Sequence, residues 1–178
     1  MTRYADVHLQ PWQVFYAREE AQRRHEFALS IGARDGTTAT KGLPSTMSHE
    51  IGAVCELATA VYTGIPERFF DENDLNLPDV GRIEVRGSRT KNRDLTVFRK
   101  DVEKADFMVL AIIHELSDAG AIVRLEGWTW SEHAWNYSKP SDFPPHPKRG
   151  PARYCLRTTL YPMGSLVKNH RLLEEVSR

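Results

Sequence analysis

The most constraining feature of this sequence is an unbroken apolar run from Phe107 to Ile113, FMVLAII. An amphipathic helix or a half-buried strand shows polar residues at a regular period, and this run shows none. The run is therefore predicted to be a β-strand that is covered on both faces. A chain with such a strand must supply other elements on each side of a sheet.

Periodicity predicts those other elements. Apolar residues at helical spacing predict an amphipathic helix from Pro11 to Ser30, with apolar contacts from Trp12, Phe15, Tyr16 and Phe27. They also predict a second helix that begins at Ser48 and ends near Gly64. Beyond these helices the sequence predicts strands at 83–86, around Leu95 and Val97, at 121–130 and, as an edge strand, at 154–160. It also predicts a proline-rich loop at 137–151 and a small helix that is capped by Ser131.

Helices followed by a run of strands predict a mixed α/β (α+β) fold with a central mixed sheet flanked by helices. The length of 178 residues favours one domain covering residues 1–178. No apolar run approaches the roughly 20 residues needed to cross a bilayer, and the first residues lack the apolar core of a secretory signal. We therefore expect a cytoplasmic protein with no membrane partner. Cys55 and Cys155 are expected to be reduced thiols.

The net charge of zero hides an uneven distribution of charge. Five acids and one base lie between Glu67 and Asp79, whereas eight bases and four acids lie between Arg82 and Lys104. An acidic focus beside basic stretches suits a site that holds a cation and attracts phosphates. The alternative is a set of ordinary solvated loops and strand edges. The best candidates for phosphate contacts are five bases: Arg89, Lys91, Arg93, Arg99 and Lys100.

Glu56 is the only charged residue between Ile51 and Pro66, in the middle of the predicted second helix. Burial of an unpaired carboxylate costs several kcal/mol, so Glu56 needs a partner. That partner is either a metal ion or an arginine from the sheet or from the first helix. Glu50 is a second acid on this helix, but its place in the first turn is explained by the helix dipole.

The segment from Pro78 to Arg86 predicts a charged hairpin. Gly81 can take the positive φ of a tight turn, so Asp79 and Glu84 can face each other across it. Glu84 and Arg86 are two residues apart on a strand and therefore share a face. Two close carboxylates repel each other unless a positive charge lies between them, and Mg²⁺ is bound by such groups. A solvated surface ion pair is the alternative. Asp74 could replace Asp79, but it precedes the strand in an acidic loop.

Together these residues resemble the signature of the PD-(D/E)XK nuclease superfamily. Its pattern is an aspartate followed by Glu-x-Lys on a strand, preceded by a helix that carries a glutamate. Pro78-Asp79 and Glu84-Val85-Arg86 are similar to the first part, and the stretch 52–58, GAVCELA, is similar to the helix. The likeness covers about 48–113, and Gly127-Trp128 resembles a segment of phage-encoded members.

The resemblance implies a restriction-endonuclease-like core and a magnesium- or manganese-dependent hydrolase that cleaves phosphodiester bonds, with DNA as the partner. Asp79 and Glu84 would bind the metal, and Glu56 would complete the site or hold a metal-bound water. Arg86 departs from the family lysine. Arginine stays protonated at any working pH, so Arg86 suits stabilisation of phosphate charge better than proton transfer.

Two other function classes remain open: a nucleic-acid-binding protein of this fold without turnover, and a phage or bacterial protein-interaction module. The sequence contains no G-x-S-x-G, H-E-x-x-H or phosphate-cradling glycine-rich loop. Trp128, Trp130 and Trp135 could stack on bases of a single strand, but packing in the core and at its rim is the favoured interpretation.

Overall fold

The structure is a computed structural model, and it describes residues 3–31, 45–66, 77–142, 145 and 150–166. The Glu67, Asp71, Glu72 and Asp74 part of the predicted acidic loop lies outside these residues. No helix in the described ranges is long and apolar enough to span a membrane.

Two long helices precede most of the strands. Helix α1 covers Pro11–Ser30, as predicted, with proline in its first turn. Helix α2 covers Ser45–Thr63 and so begins three residues before the predicted start; it ends at Gly64, whose φ of 71° suits a residue without Cβ. The buried face of α1 is made by small residues and one acid, Val14, Ala17, Glu20 and Ala21.

One prediction for α1 is therefore wrong in part. Of the four aromatic residues expected to make its apolar contacts, Tyr16 and Phe27 are partly buried, but Trp12 and Phe15 are 69% and 64% exposed. Small residues allow α1 to approach α2 closely, and this places the large rings of Trp12 and Phe15 on the outer side of α1.

The main sheet has four strands in the order β1-β5-β4-β2. Their bounds are β1 Ala5–Leu9, β2 Ile83–Ser88, β4 Phe107–Ser117 and β5 Gly120–Trp130. Strand β4 is parallel to β2 and antiparallel to β5, and β5 is antiparallel to β1. The sheet is therefore mixed, as predicted, and β2 lies at its edge.

A second sheet contains β3 Leu95–Phe98, β6 Lys139–Pro140 and β7 Ala152–Cys155, in the order β3-β7-β6. The predicted edge strand at 154–160 is thus wrong in two ways. Strand β7 ends at Cys155 and lies between two partners, and a 3₁₀ turn follows at Arg157–Thr159. The predicted loop at 137–151 also contains the short strand β6.

Two short α-helices are α3 Arg99–Lys104 and α4 Ser131–Tyr137, and a second 3₁₀ turn lies at Met163–Ser165. The sequence predicted α4 but not α3, and Ser131 is the first residue of α4 instead of its cap. Helix α3 follows β3 directly and leads into β4, so β3 and α3 form the connection between the parallel strands β2 and β4.

The apolar run in β4 is covered on both faces, as predicted. Phe107, Val109, Ala111 and Ile113 face the core that includes α1 and α2. Met108, Leu110 and Ile112 face a second core with Leu95, Val97, Ala134 and Cys155 of the second sheet and α4. Every side chain from Phe107 to Ile113 is buried.

Candidate acidic site at the edge of the sheet

A tight turn leads into the edge strand β2. The backbone N–H and C=O groups of Val80 and Ile83 bond to each other at 2.8 and 3.1 Å, and Gly81 takes a φ of 56° between them. The turn places Asp79 beside β2, where its Oδ2 accepts the Val85 N–H at 2.8 Å. The predicted hairpin is therefore present, with Asp79 fastened to the open edge of the sheet.

Three carboxyl groups influence one another here. The pKa of Asp79 is raised well above its usual value, first by burial and then by the negative charges of Glu84 and Glu56, while Lys104 acts in the opposite direction. Asp79 thus lies within electrostatic reach of an acid on β2 and of an acid on α2. The negative charges of Glu84 and Glu56 both act on Asp79, but neither acid is in direct contact with it among the described contacts.

Glu84 is held between two cations. Its Oε1 lies 2.5 Å from Arg86 Nη1, and its Oε2 pairs with the ammonium group of Lys104. Its side chain is only 3% exposed. Burial acts to raise the pKa of Glu84, but Arg86 and Lys104 outweigh this effect and lower it below the usual value. Glu84 is therefore ionised at neutral pH.

Arg86 is fixed on several sides. Its Nη2 lies 2.6 Å from Asp101 Oδ2, its Nε donates to the Thr96 carbonyl at 3.3 Å, and its guanidinium lies 5.9 Å from the centre of the Phe98 ring. Burial acts to lower the pKa of Arg86, but the charges of Glu84 and Asp101 raise it overall. Arg86 is therefore a permanently charged and immobile group.

Sequence analysis left either a metal ion or an arginine as the partner of Glu56, and in the structure that partner is an arginine. Arg24 of α1 donates from Nη1 to Glu56 Oε1 at 2.9 Å, and its Nη2 lies 2.6 Å from Oε2. Arg24 also lies 3.2 Å from Glu20. The fork geometry and the burial of Glu56 make this a structural ion pair between α1 and α2.

Lys104 is the residue that sequence reasoning missed. It is the last residue of α3, and its side chain is 15% exposed where it meets Glu84. The register that pairs Ile83 with Phe107 brings the end of α3 next to the start of β2. The signal in the sequence was a lysine just before the buried strand, but its meaning depends on β2 and β4 being neighbours.

Carboxylate oxygens are the ligands that Mg²⁺ and Mn²⁺ prefer, so the donor set fits a hard divalent cation. Within the described ranges, however, no three His, Cys, Asp or Glu side chains form a group arranged to hold a metal ion. Glu84 and Glu56 instead contact Arg86, Lys104 and Arg24. Metal binding would require at least one carboxylate to exchange such a partner.

The five bases that the sequence predicted to contact phosphates are all at least partly exposed. Arg89 and Lys91 are exposed and Arg93 is partly buried in the β2–β3 loop, while Arg99 and Lys100 are exposed at the start of α3. The bases are therefore accessible, though they lie on two different segments.

Other candidates have structural partners or lie outside the described residues. Glu50 pairs with Arg18 at 2.7 Å, which agrees with a structural role for Glu50, and Asp74 is not among the described residues. Trp128 is 2% exposed, and its indole N–H donates to Ser165 and to the Pro162 carbonyl. Packing is thus the correct interpretation for Trp128.

Comparisons with protein-family models, with curated proteins and with solved structures give no match for this chain.

Proposed function

We propose that this protein is a magnesium- or manganese-dependent nuclease of the PD-(D/E)XK type that hydrolyses phosphodiester bonds in DNA. One observation carries the proposal: the pKa of Asp79 is raised by burial and by the negative charges of Glu84 and Glu56, which oppose its ionisation. A divalent cation bound at this site would offset the repulsion among the carboxylates, which otherwise disfavours the ionisation of Asp79. The order of a helical glutamate, a turn aspartate and Glu-x-Arg on the edge strand supports the same proposal.

In this proposal Asp79 and Glu84 bind the cation and Glu56 completes the site. With a divalent cation held there, the site would supply a bound water of lowered pKa and a polarised scissile phosphate. Arg86, which is fixed by Asp101 and Thr96, supplies positive charge for a phosphate oxygen. Lys104 has a flexible side chain that can leave Glu84 for a phosphate or for the attacking water.

The decisive experiment compares Asp79→Asn with Asp118→Asn. The asparagine side chain keeps an oxygen for the Val85 N–H but loses the carboxylate charge, so cleavage of plasmid and linear DNA in Mg²⁺ or Mn²⁺ should fall by at least about 100-fold. Asp118 is an exposed acid in the turn between β4 and β5, paired with Arg18, and its variant should cleave normally. Cleavage that persists in Asp79→Asn, or that is insensitive to EDTA, contradicts the proposal.

A second variant, Glu84→Gln, addresses the other metal ligand. Glutamine keeps the size and one oxygen of the side chain, whereas alanine would leave Arg86 and Lys104 facing an empty space. Loss of cleavage is interpretable here only when thermal unfolding shows that the protein remains folded.

The second candidate is a nucleic-acid-binding protein of this type without turnover. The arginine and lysine partners of Glu84 and the arginine partner of Glu56 favour it, because these ion pairs compete with a metal. It predicts salt-sensitive DNA binding, no cleavage and no rise in melting temperature on addition of Mg²⁺ or Mn²⁺. A metal-dependent rise that disappears in Asp79→Asn would favour the nuclease.

A further inference from the structure

Two of the carboxylates proposed to bind a divalent cation already contact cationic side chains of the protein. Glu84 contacts Arg86 and Lys104, and Glu56 contacts Arg24. A metal ion can reach these carboxylate oxygens only where such a contact is broken. The three cationic side chains differ in how many other contacts hold them, and this difference decides which of them can leave.

Arg24 is held firmly between α1 and α2. Its guanidinium lies 2.9 Å from one oxygen of Glu56 and 2.6 Å from the other, and its Nε lies 3.2 Å from Glu20. Glu20 and Glu56 are both buried. Departure of Arg24 would leave two buried carboxylates without this partner, which is strongly destabilising.

Arg86 is held at every nitrogen of its guanidinium group. Nη1 contacts Glu84, Nη2 contacts Asp101, and Nε donates to the Thr96 carbonyl. The side chain of Asp101 has no exposed surface. If Arg86 moved away, the negative charge of Asp101 would remain buried without its arginine, which is also strongly unfavourable.

Lys104 is the cation with the fewest constraints. Among the described residues, Glu84 is the one ion-pair partner of its ammonium group, and the Lys104 side chain is 15% exposed. The backbone beside it is fixed, because the N–H groups of Asp106 and Phe107 donate to the Arg82 carbonyl at 3.1 and 3.2 Å. A flexible side chain on a fixed backbone can move its charge without disturbing the fold.

The ammonium group of Lys104 also acts on the second proposed metal ligand. Its positive charge lowers the pKa of Asp79, in opposition to burial and to the charges of Glu84 and Glu56. Lys104 thus supplies positive charge to two carboxyl groups that disfavour each other's ionisation. A divalent cation bound to the same two groups would supply two charges in place of one.

We propose that the ammonium group of Lys104 takes the place of the divalent cation beside Glu84 and is displaced from Glu84 when the cation binds. Arg86 stays on the other oxygen of Glu84, so the carboxylate keeps its orientation while Oε2 becomes free to bind the metal. This inference rests on the proposed nuclease function, because it concerns the metal ion of that function. It identifies Lys104 as the residue that competes with the metal and limits its affinity.

The first test measures the binding of Mn²⁺ without DNA, by calorimetric titration of metal-free protein. Lys104→Met keeps an unbranched apolar side chain but removes the charge. It should bind Mn²⁺ at least about tenfold more tightly than the wild type, because no ammonium group competes for Glu84. Lys139→Met is the matched control and should bind as the wild type does, since Lys139 is exposed in β6.

Thermal unfolding of the same variants separates competition from a structural ion pair. In EDTA, Lys104→Met should melt at a lower temperature than the wild type, because Glu84 retains only Arg86. Addition of Mn²⁺ should raise the melting temperature of Lys104→Met more than that of the wild type. A structural ion pair predicts an equal rise in both proteins.

NMR of side-chain N–H groups follows the displacement directly in the wild type. The ammonium signal of Lys104 and the Nε–H signal of Arg86 are recorded in EDTA and during titration with Mg²⁺. An ammonium group in an ion pair exchanges its protons with water more slowly than a free one. The Lys104 signal should therefore broaden and disappear as Mg²⁺ saturates the protein, while the Arg86 signal persists.

Equal Mn²⁺ affinity of Lys104→Met and wild type, or a Lys104 signal that persists at saturating Mg²⁺, would overturn the inference. In either case the proposed nuclease would still stand if Asp79→Asn lost metal-dependent cleavage. Absence of Mn²⁺ binding by the wild type and by Lys104→Met alike would overturn both the inference and the proposed function.

Discussion

At the scale of single residues, the defining property of the site is an acid that resists ionisation. Asp79 is the carboxyl group whose pKa rises, whereas that of Glu84 falls because Arg86 and Lys104 are in contact with it. The two acids therefore differ in role before any metal is considered. Glu84 is an ionised carboxylate held by Arg86 and Lys104, whereas Asp79 is a carboxyl group whose ionisation is disfavoured.

The raised pKa of Asp79 predicts how stability changes with pH. An unfolded aspartate has a pKa of about 3.9, and the folded pKa is higher, so the folded state binds the proton more tightly. The ionised form then destabilises the fold, increasingly as pH rises above the unfolded pKa and up to the folded one. Asp79→Asn removes this cost. In EDTA we expect the variant to be more stable than the wild type at about pH 8 and roughly equal to it near pH 4.

Urea unfolding at both pH values measures this difference, and each tenfold change in proton affinity corresponds to about 1.4 kcal/mol. A variant that is equally destabilised at both pH values would show that the carboxyl group does not carry this cost. Asp118→Asn serves as the control, since Asp118 is exposed in the β4–β5 turn.

At the scale of elements, the position of α2 against β2 depends on Gly87, where the backbone of β2 closely approaches Ile51 and Cys55 of α2. A Cβ built at Gly87 would lie 2.9 Å from the Cys55 sulfur and 3.0 Å from the Ile51 carbonyl oxygen. Neither atom is the end of a flexible side chain. The helix that carries Glu56 therefore packs directly on the backbone of the strand that carries Glu84.

Gly87→Ala should push α2 away from β2 and destabilise the protein by about 1–3 kcal/mol, the usual cost of overpacking. Gly164→Ala is the matched control, because nothing lies within 4 Å of a Cβ built there. Denaturant melts of the two variants provide the measurement. Equal stability of Gly87→Ala and wild type would mean that α2 can shift without loss of packing.

At the scale of the whole molecule, β4 lies between two hydrophobic cores. Successive side chains of β4 point alternately into one core and into the other. Ile113 contributes to the core with α1 and α2, and Ile112 contributes to the core with the second sheet and α4. This arrangement follows from the two-residue period of a strand. It makes the apolar run the central support of both layers.

Ile112→Ala and Ile113→Ala are therefore each expected to cost about 2–5 kcal/mol, the range for a buried isoleucine. Ile122→Ala, at a partly buried position of β5, should cost clearly less. The free energy of unfolding from urea titrations checks all three. A small cost at only one of the two buried positions would show that one face of β4 is loosely packed.

The elements that were predicted correctly are those whose structure depends on residues close together in the sequence. Periodicity predicted α1, α2 and β2, since one buried face requires a fixed spacing of apolar residues. The unbroken apolar run predicted β4, and Ser131 marked the start of α4. The alternation in Ala5–Leu9, ADVHL, is an equally local signal that was overlooked, so β1 was missed. Helix α3, RKDVEK, carries almost no apolar pattern; Asp101 stabilises its start by accepting the Phe98 N–H.

The sequence by itself determined the buried strand, the amphipathic and buried helices, and the turn that places Asp79 near Glu84. Only the tertiary structure decided that β2 runs parallel to β4, that Arg24 pairs with Glu56, and that Lys104 reaches Glu84. These contacts join residues far apart in the chain. Local propensity carries no information about such partners, because they are chosen by the way whole elements pack and by the requirement that each buried charge meets an opposite one.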